Sequence, residues 1–230
     1  MKLNFSRSYW LYILIIILAS CLGCGGEKET HPSLQNAEAE EYAVYDAIIK
    51  EMYIRDGVGL VVIEDQTYAE CSVENYLNEY CNDRNLLYRI KVRLFFASAS
   101  DALKDFEKKN KESHPLKELF ALPLRYTLIS KDEYDEIFRK KECKGWKVYH
   151  ERFPDSPSIL SLSRIGFNTK IDKAFVYVKI LLEEPLLSRA EVKSAVEYQS
   201  YYVVLAKRKG TWKIKKKMLA YVGYTFHDLF

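Results

Sequence analysis

The stretch AFVYVKILL, residues 174–182, decides the fold. It lies in the region after Ile159, where the hydrophobic pattern changes from the helical period of 3.6 residues to the strand period of two. The pattern predicts four strands with two intervening turns, at 159–167, 174–182, 200–208 and 212–221, with turns at Asn168–Asp172 and Lys209-Gly210. Strands joined by short turns pair in antiparallel fashion, so we expect an antiparallel sheet.

Upstream of this region, helical patterns predominate. Tyr42, Tyr45, Ile49 and Met52 recur at helical spacing, and Gly57 stands where that helix would end. Short strands are predicted at 58–65 and 124–130. The chain has no regular alternation of strands and helices, which a doubly wound fold would require. We therefore expect an α+β fold, with helices packed on a small antiparallel sheet formed mainly by the C-terminal half.

Local signals place three further helices. Ser98 with Asp101, and Ser130 with Glu133, have the spacing of a capping box at a helix start. Trp146, Tyr149, His150 and Phe153 form one helical stripe that stops at Pro154. The stretch 88–94 alternates apolar and basic residues and favours a strand, although Leu87, Ile90 and Leu94 also have helical spacing.

The composition is that of a globular chain: 230 residues, of which 48% are hydrophobic and 29% charged, provide one ordinary core and a surface to cover it. The net charge is +3, and because Lys2 and Arg7 lie in the N-terminal segment, residues 21–230 carry only +1. Nucleic-acid binding needs a clustered positive surplus, so we expect no nucleic-acid partner.

The N-terminus has the layout of a secretory signal. Lys2 and Arg7 precede an uninterrupted apolar run, Tyr9–Ala19. As a helix this run would span about 16 Å, roughly half of the ~30 Å hydrocarbon thickness of a bilayer. An uncleaved span extending to Gly26 is the alternative, but Gly23, Gly25 and Gly26 favour an extended chain that a peptidase can bind.

Leu18-Ala19-Ser20-Cys21 resembles the lipobox of bacterial lipoproteins. The resemblance implies a diacylglyceryl group on the Cys21 sulfur, cleavage before Cys21 and acylation of the freed amine. It also implies an outer-membrane, periplasmic-side location in a Gram-negative cell, because Leu22 rather than aspartate follows the cysteine. An ordinary secretory cleavage site is the competing interpretation. The predicted organisation is a signal peptide at 1–20, a lipidated flexible tether at 21–36 and a single α+β domain at 37–230.

The C-terminal half resembles a family of uncharacterised bacterial secreted proteins. The likeness lies in five groups of residues: Gly145-Trp146 with Tyr149, Phe153-Pro154 with Ser156, Ser163-Arg164-Ile165-Gly166-Phe167-Asn168, Ala174–Val178, and Lys209-Gly210-Thr211-Trp212-Lys213. The family implies no activity. This chain departs from the family's short glycine-rich connector by having EEPLLSRAEVKSAVEYQS, residues 183–200, in its place.

The sequence contains no recognisable catalytic or metal-binding motif. It lacks GxSxG, HExxH, a phosphate loop and GxGxxG, and its four histidines are not at metal-ligand spacing. His150 lies on an aromatic stripe that favours a packed histidine, and a Cys143–His150 nucleophile pair has little support. We therefore predict no catalytic residue, no metal and no cofactor.

Arg164, with Asn168 of the same SRIGFN motif, is the candidate for ligand binding. On a predicted strand with apolar neighbours, its guanidinium reaches solvent, pairs with a carboxylate such as Asp172 or Glu183, or holds an anionic ligand.

The basic cluster KRKGTWKIKKK, residues 207–217, indicates a solvated sheet edge, with anionic lipid headgroups as an alternative contact.

The cysteines leave one question open. Cys71 and Cys81 suit a disulfide in an exported protein, yet Val73, Tyr76, Leu77 and Tyr80 have helical spacing, and a helix would hold the two Cα atoms about 15 Å apart. The helix is favoured, and Cys143 is a further candidate partner.

Functionally, we expect a membrane-anchored envelope lipoprotein, most simply a binding or structural module with an envelope protein or glycan partner. The alternatives are an envelope enzyme whose site forms only in the fold, and a plain secreted or single-span protein.

Overall fold

The computed structural model describes residues 34–54, 57–69, 73, 86–138, 145–183 and 195–226. The described residues from Ala37 onward belong to one compact unit. The predicted signal peptide, the lipidation residue Cys21, the Cys71–Cys81 question, Cys143 and most of the connector lie outside the described residues. Within these ranges, no helix combines the length and the apolar content needed to cross a bilayer.

The described residues form five helices: α1 (Leu34–Tyr53), α2 (Leu86–Ala97), α3 (Ser100–Lys109), α4 (Lys131–Phe138) and α5 (Trp146–Arg152). They also form seven strands: β1 (Leu60–Glu64), β2 (Arg125–Ile129), β3 (Ser158–Leu162), β4 (Gly166–Phe167), β5 (Lys173–Glu183), β6 (Ala195–Arg208) and β7 (Thr211–Phe226). The α+β class predicted from the sequence is confirmed. Helix α1 begins at Leu34, within the segment predicted to be a tether.

All seven strands join one sheet, in the order β2-β1-β3-β5-β6-β7, with β4 paired to β5. The C-terminal strands β3 to β7 pair in antiparallel fashion, as expected from their short turns. Strand β1 adds parallel pairs with β2 and β3, so the complete sheet is mixed. Parallel neighbours require a long crossover, and the chain between β1 and β2 contains α2 and α3.

The sheet is covered on both faces. On one face α1 packs its buried Tyr45, Ile48 and Ile49 against alternate residues of β1, β3, β5 and β6. On the other face, α2 and α3 cover Phe175, Tyr202 and Val204, while α4 and α5 cover Val62, Ile159 and Leu181. Successive residues of β5 point to opposite faces and both faces are covered, which is why Ala174–Val178 is apolar without interruption rather than alternating.

The capping predictions had different outcomes. Ser130 and Glu133 form the expected box: the Glu133 amide donates to Ser130 Oγ at 3.2 Å, and the Ser130 amide donates to Glu133 Oε2 at 3.1 Å. The box at Ser98 and Asp101 was wrong. Helix α3 starts at Ser100 without a side-chain cap, because the Ser98 hydroxyl donates to the Phe95 carbonyl at 2.6 Å, at the end of α2.

The strand favoured at 88–94 was also wrong, since these residues lie within α2. Val92, Phe95 and Phe96 are buried together, a spacing that a helix permits and a strand does not. The stretch predicted as one strand at 159–167 is divided into β3 and β4 by Ser163–Ile165. Strand β6 begins at Ala195, so the last six residues of the segment predicted to be a connector, 195–200, are sheet.

Candidate functional site

An open cleft of about 850 Å³ lies between the end of α1 and the β3–β5 part of the sheet. Four segments line it: the end of α1, the stretch 57–59, the α5–β3 stretch from His150 to Ser158, and the end of β5. Its apolar walls include Met52, Val58, Ile180 and Leu182, and its polar groups include His150 and Asp155. Such a mixture of apolar walls and few polar groups is typical of ligand sites.

A buried hydroxyl network supports the cleft from below. Tyr53 and Ser158 share a hydrogen bond of 3.0 Å between their hydroxyl groups. The Tyr149 hydroxyl lies 2.8 Å from Ser156 Oγ and 2.7 Å from the Ser158 carbonyl oxygen, to which Ser156 Oγ also donates. Both serines are therefore held in structural hydrogen bonds and are not placed as nucleophiles.

Burial changes the acidity of these tyrosines. Removal from water raises the pKa of Tyr53 to about 12, with the Ser158 hydrogen bond opposing the shift. Burial also raises the pKa of Tyr149, and its side-chain hydrogen bond with Ser156 opposes the shift. Both phenols are neutral at physiological pH, so the floor of the cleft presents hydrogen-bonding groups without charge.

His150 and Glu183 meet beside the cleft, with 2.9 Å between His150 Nε2 and Glu183 Oε2. The imidazole stacks on Trp146 at a centroid distance of 5.7 Å, so the predicted aromatic stripe of α5 is confirmed. About two fifths of each side chain is exposed, so both are open to a ligand. A carboxylate that orients an imidazole can support proton transfer or hydrogen bonding to a polar ligand.

Asp155 has a different partner. Its carboxylate pairs with the Arg125 guanidinium across the sheet edge. Both side chains are more than half exposed, and such pairs contribute little to stability. Asp155 therefore supplies the cleft with a partly screened negative charge.

Arg164 does not line the cleft. Its Nη2 atom lies 3.1 Å from Glu41 Oε1 on α1, and Glu41 also faces the Lys109 ammonium at 3.6 Å. Pairing of Arg164 with a carboxylate is confirmed. The partner is Glu41 rather than Asp172 or Glu183, because β3 ends at Leu162 and the following residues turn toward α1 and α3. Asn110 fixes the backbone there, since its side chain bonds both the amide and the carbonyl of Arg164.

Asn168 holds the turn that precedes β5. Its Oδ1 accepts from the amides of Asp172 at 3.0 Å and Lys173 at 2.9 Å, and its Nδ2 donates to Asp172 Oδ1 at 2.7 Å. Arg164 and Asn168 thus both have partners within the chain. Ligand binding by either residue stays a prediction.

The basic cluster lies on the β6–β7 hairpin, where β7 is an edge strand. Lys207 pairs with Glu40 of α1, whose other oxygen accepts from Trp212 Nε1 at 2.8 Å. A bulge shifts the register between Leu205–Ile214 and Val204–Lys216, which explains why Lys216 breaks the alternation. The exposed lysines of β7 are suited to discourage pairing with another sheet edge.

No protein-family model and no curated protein sequence matches this chain. The resemblance of the C-terminal half to uncharacterised secreted proteins therefore stays a prediction. Within the described ranges, no group of three His, Cys, Asp or Glu residues is arranged to hold a metal ion. His150 was considered from the sequence, but its pairing with Glu183 was not. The neighbouring sequence does not indicate this pair, because Glu183 lies at the end of β5 and meets His150 only in the fold.

Proposed function

We propose that this protein is a membrane-anchored envelope lipoprotein, tethered through lipid on Cys21, whose α+β domain is a binding module. The observation that carries the anchor is Leu18-Ala19-Ser20-Cys21 at the end of an uninterrupted apolar run. Several acyl chains at ~0.8 kcal/mol per buried CH₂ anchor a protein far more firmly than one chain does. In a Gram-negative cell, Leu22 favours the periplasmic side of the outer membrane.

Replacing Cys21 with serine is expected to abolish lipidation, because a hydroxyl cannot form the thioether. Cells expressing the full chain would be labelled with an alkyne analogue of palmitate, and the label on the purified protein would be measured. The wild-type protein should carry the label and the Cys21→Ser variant should not. Cys24→Ser is the matched control and should keep the label.

Two results would contradict the anchor. One is label on the Cys21→Ser protein. The other is an unlabelled wild-type protein whose intact mass includes residues 1–20, which would indicate an uncleaved span.

The cleft is the proposed binding site, and its partner is an envelope protein or a glycan. Support comes from its open form, its apolar walls and the exposed His150–Glu183 pair, which can hydrogen-bond to a polar ligand. The serines beside it are engaged in buried hydrogen bonds, which favours binding over nucleophilic catalysis.

A photo-reactive p-benzoylphenylalanine in place of Val58, on the cleft wall, is expected to cross-link a specific envelope component in living cells. The same residue in place of Lys131, a side chain that is 75% exposed on α4 and outside the cleft, is the matched control. Mass spectrometry of the adduct identifies a protein or a glycan. Equal cross-linking from both positions, or none from Val58, would overturn the cleft assignment.

An envelope enzyme is the second candidate, favoured by the carboxylate-oriented imidazole of His150. The same cross-linking separates the two functions. A binding module yields the intact partner, whereas a hydrolytic enzyme yields a partner cut near the cross-linked position.

A further inference from the structure

Helix α2 carries an exposed apolar stripe. Leu87, Ile90 and Leu94 are 71%, 44% and 63% exposed, and their spacing places them on one side of the helix. The opposite side packs Val92 and Phe95 into the core over the sheet. A helix with one buried apolar side is usually polar on its other side, so the stripe departs from the pattern of a solvated surface helix.

Positive charge borders this stripe on both sides. At 3.6 residues per turn, Lys91 lies beyond Leu87 on one side and Arg93 lies beyond Ile90 on the other, and both side chains are exposed. Residues 86–97 contain three basic residues and no carboxylate. An exposed apolar band between cations is the arrangement of a helix that lies in the interface of an anionic bilayer.

Strand β7 adds to the positive charge on the same face of the sheet. Lys216 pairs with Val204, whose side chain belongs to the cluster that α2 covers, and directly opposite residues point to the same face. Lys216 is exposed. The charge around the stripe therefore comes from two elements, so it does not depend on α2 alone.

We propose that the α2 stripe, Leu87, Ile90 and Leu94, docks on an anionic lipid bilayer. This inference rests on the proposed anchor, which brings the domain to the membrane. The leucine and isoleucine side chains enter the boundary between headgroups and acyl chains, while Lys91, Arg93 and Lys216 face the anionic headgroups. The protein is then held flat on the membrane at two places.

The length of the connecting chain permits this arrangement. Thirteen residues lie between Cys21 and α1, counting Cys21. Fully extended, they reach at most about 45 Å. A compact domain of this size has a diameter of about 40 Å, so the extended connection is about as long as the domain is wide.

The test uses the full chain reconstituted in vesicles containing about 30 mol% phosphatidylglycerol, which supply the anionic surface. Dansylalanine replaces Leu94, and in a second protein it replaces Ala43, an exposed residue of α1 on the opposite face of the sheet. Lipid-borne nitroxide is expected to quench position 94 strongly and position 43 weakly. Quenching at position 94 should weaken at about 1 M salt, where the Debye length is only ~3 Å.

Charge variants sharpen the test. Lys91→Gln with Arg93→Gln should lower the docked-to-undocked ratio about 30-fold, since each basic residue near an anionic surface is worth about a fivefold change. Lys117→Gln with Lys217→Gln removes two exposed lysines on the α1 face of the sheet and should leave the ratio unchanged.

Several outcomes would overturn the proposal. Equal quenching at positions 94 and 43 excludes docking, and quenching that is equal in phosphatidylcholine vesicles excludes an anionic surface. Blue-shifted dansyl emission from position 94 without vesicles would mean that another part of this chain covers the stripe. A blue shift that grows with protein concentration would mean that a second copy of the chain covers it. The quenching at position 94 reports on docking, whereas the mass of the protein reports on the lipid at Cys21. A protein without lipid on Cys21 would therefore contradict the proposed anchor separately from the docking surface.

Discussion

Replacing Gly166 with alanine is expected to lower the free energy of unfolding by about 3 kcal/mol or more, at the upper end of the usual cost of overpacking. A Cβ atom at this position would lie 2.1 Å from the Ala102 carbonyl oxygen and 2.4 Å from the Phe106 amide nitrogen. Both neighbours are backbone atoms of α3, so neither can rotate away. The whole helix would have to move.

Helix α3 is bound on both sides of Gly166, which makes that movement costly. Lys109 Nζ donates to the Ile165 carbonyl at 3.0 Å, and Asp105 Oδ2 accepts from the Phe167 amide at 2.9 Å. Lys109 and Asp105 also pair with each other at 2.8 Å. A displacement of α3 would break these contacts and disturb the packing of Phe106 on Phe175, whose ring centroids lie 5.0 Å apart.

Thermal and urea unfolding of the full chain would measure the loss, which corresponds to a fall in Tm of about 6–12 °C for a domain of this size. Gly210→Ala is the matched control. Gly210 has a φ of +79° and no atom within 4 Å of an added Cβ, so the change should cost only the ~1 kcal/mol of left-handed backbone strain. Equal losses at the two positions would refute the packing explanation.

Features set by adjacent residues could be predicted from the sequence. The turn at Asn168–Asp172 depends on side-chain hydrogen bonds that span at most five residues. The Ser130–Glu133 box is equally local. The hairpin at Lys209-Gly210 follows from two residues with positive φ, of 50° and 79°.

The α2 segment shows where local signals stop being sufficient. Its alternating apolar and basic residues suit a strand, and its 3.6-residue pattern suits a helix. Burial of Val92, Phe95 and Phe96 against Phe175 and Tyr202 favours the helix, and that contact is not visible in the segment itself. At the C-terminal end of α2 the Phe95 carbonyl accepts a hydrogen bond from the Ser98 hydroxyl, so this hydroxyl does not cap α3 as expected.

The partners of Arg164 and of His150 could not be predicted, because each pair joins distant parts of the chain. Arg164 and Glu41 are 123 residues apart, and His150 and Glu183 are 33 apart. Each of these side chains has several groups of opposite charge that are nearer to it in the sequence. Only the order of the strands in the fold selects its partner. By contrast, residues on which the predicted resemblance rests have packing roles that fit their types: Tyr149 is fully buried, and the ring centroids of Phe167 and Trp212 lie 5.7 Å apart.

Alkaline conditions are expected to weaken the fold through the phenols beneath the cleft. The pKa of Tyr53 is raised to about 12 because burial disfavours the phenolate, whereas an unfolded tyrosine titrates near ~10. A raised pKa stabilises the folded chain fully below pH ~10, and that contribution is lost as the pH rises from ~10 through ~12. The loss attributed to Tyr53 is about 3 kcal/mol.

Tyr53→Phe isolates this contribution from the other groups that ionise at high pH. At pH ~7 the variant should be about 1 kcal/mol less stable than the wild type, since it loses the hydrogen bond with the Ser158 hydroxyl. Near pH ~11 the free energies of unfolding of the two proteins should become equal. Only the wild type has a Tyr53 phenol that ionises more readily in the unfolded chain than in the folded one, so only its stability is lowered by that ionisation. Urea unfolding at a series of pH values measures both.

Tyr68→Phe is the matched control, because Tyr68 packs outside the cleft, stacked on Tyr177 at 5.5 Å. A crossing that appears for Tyr53→Phe and not for Tyr68→Phe assigns the alkaline loss of stability to the phenol beneath the cleft. A constant difference between Tyr53→Phe and the wild type from pH ~7 to ~12 would mean that the Tyr53 phenol ionises as readily in the folded chain as in the unfolded one. The floor of the cleft would then be wetter than its packing indicates, and a polar ligand would meet charge there at high pH.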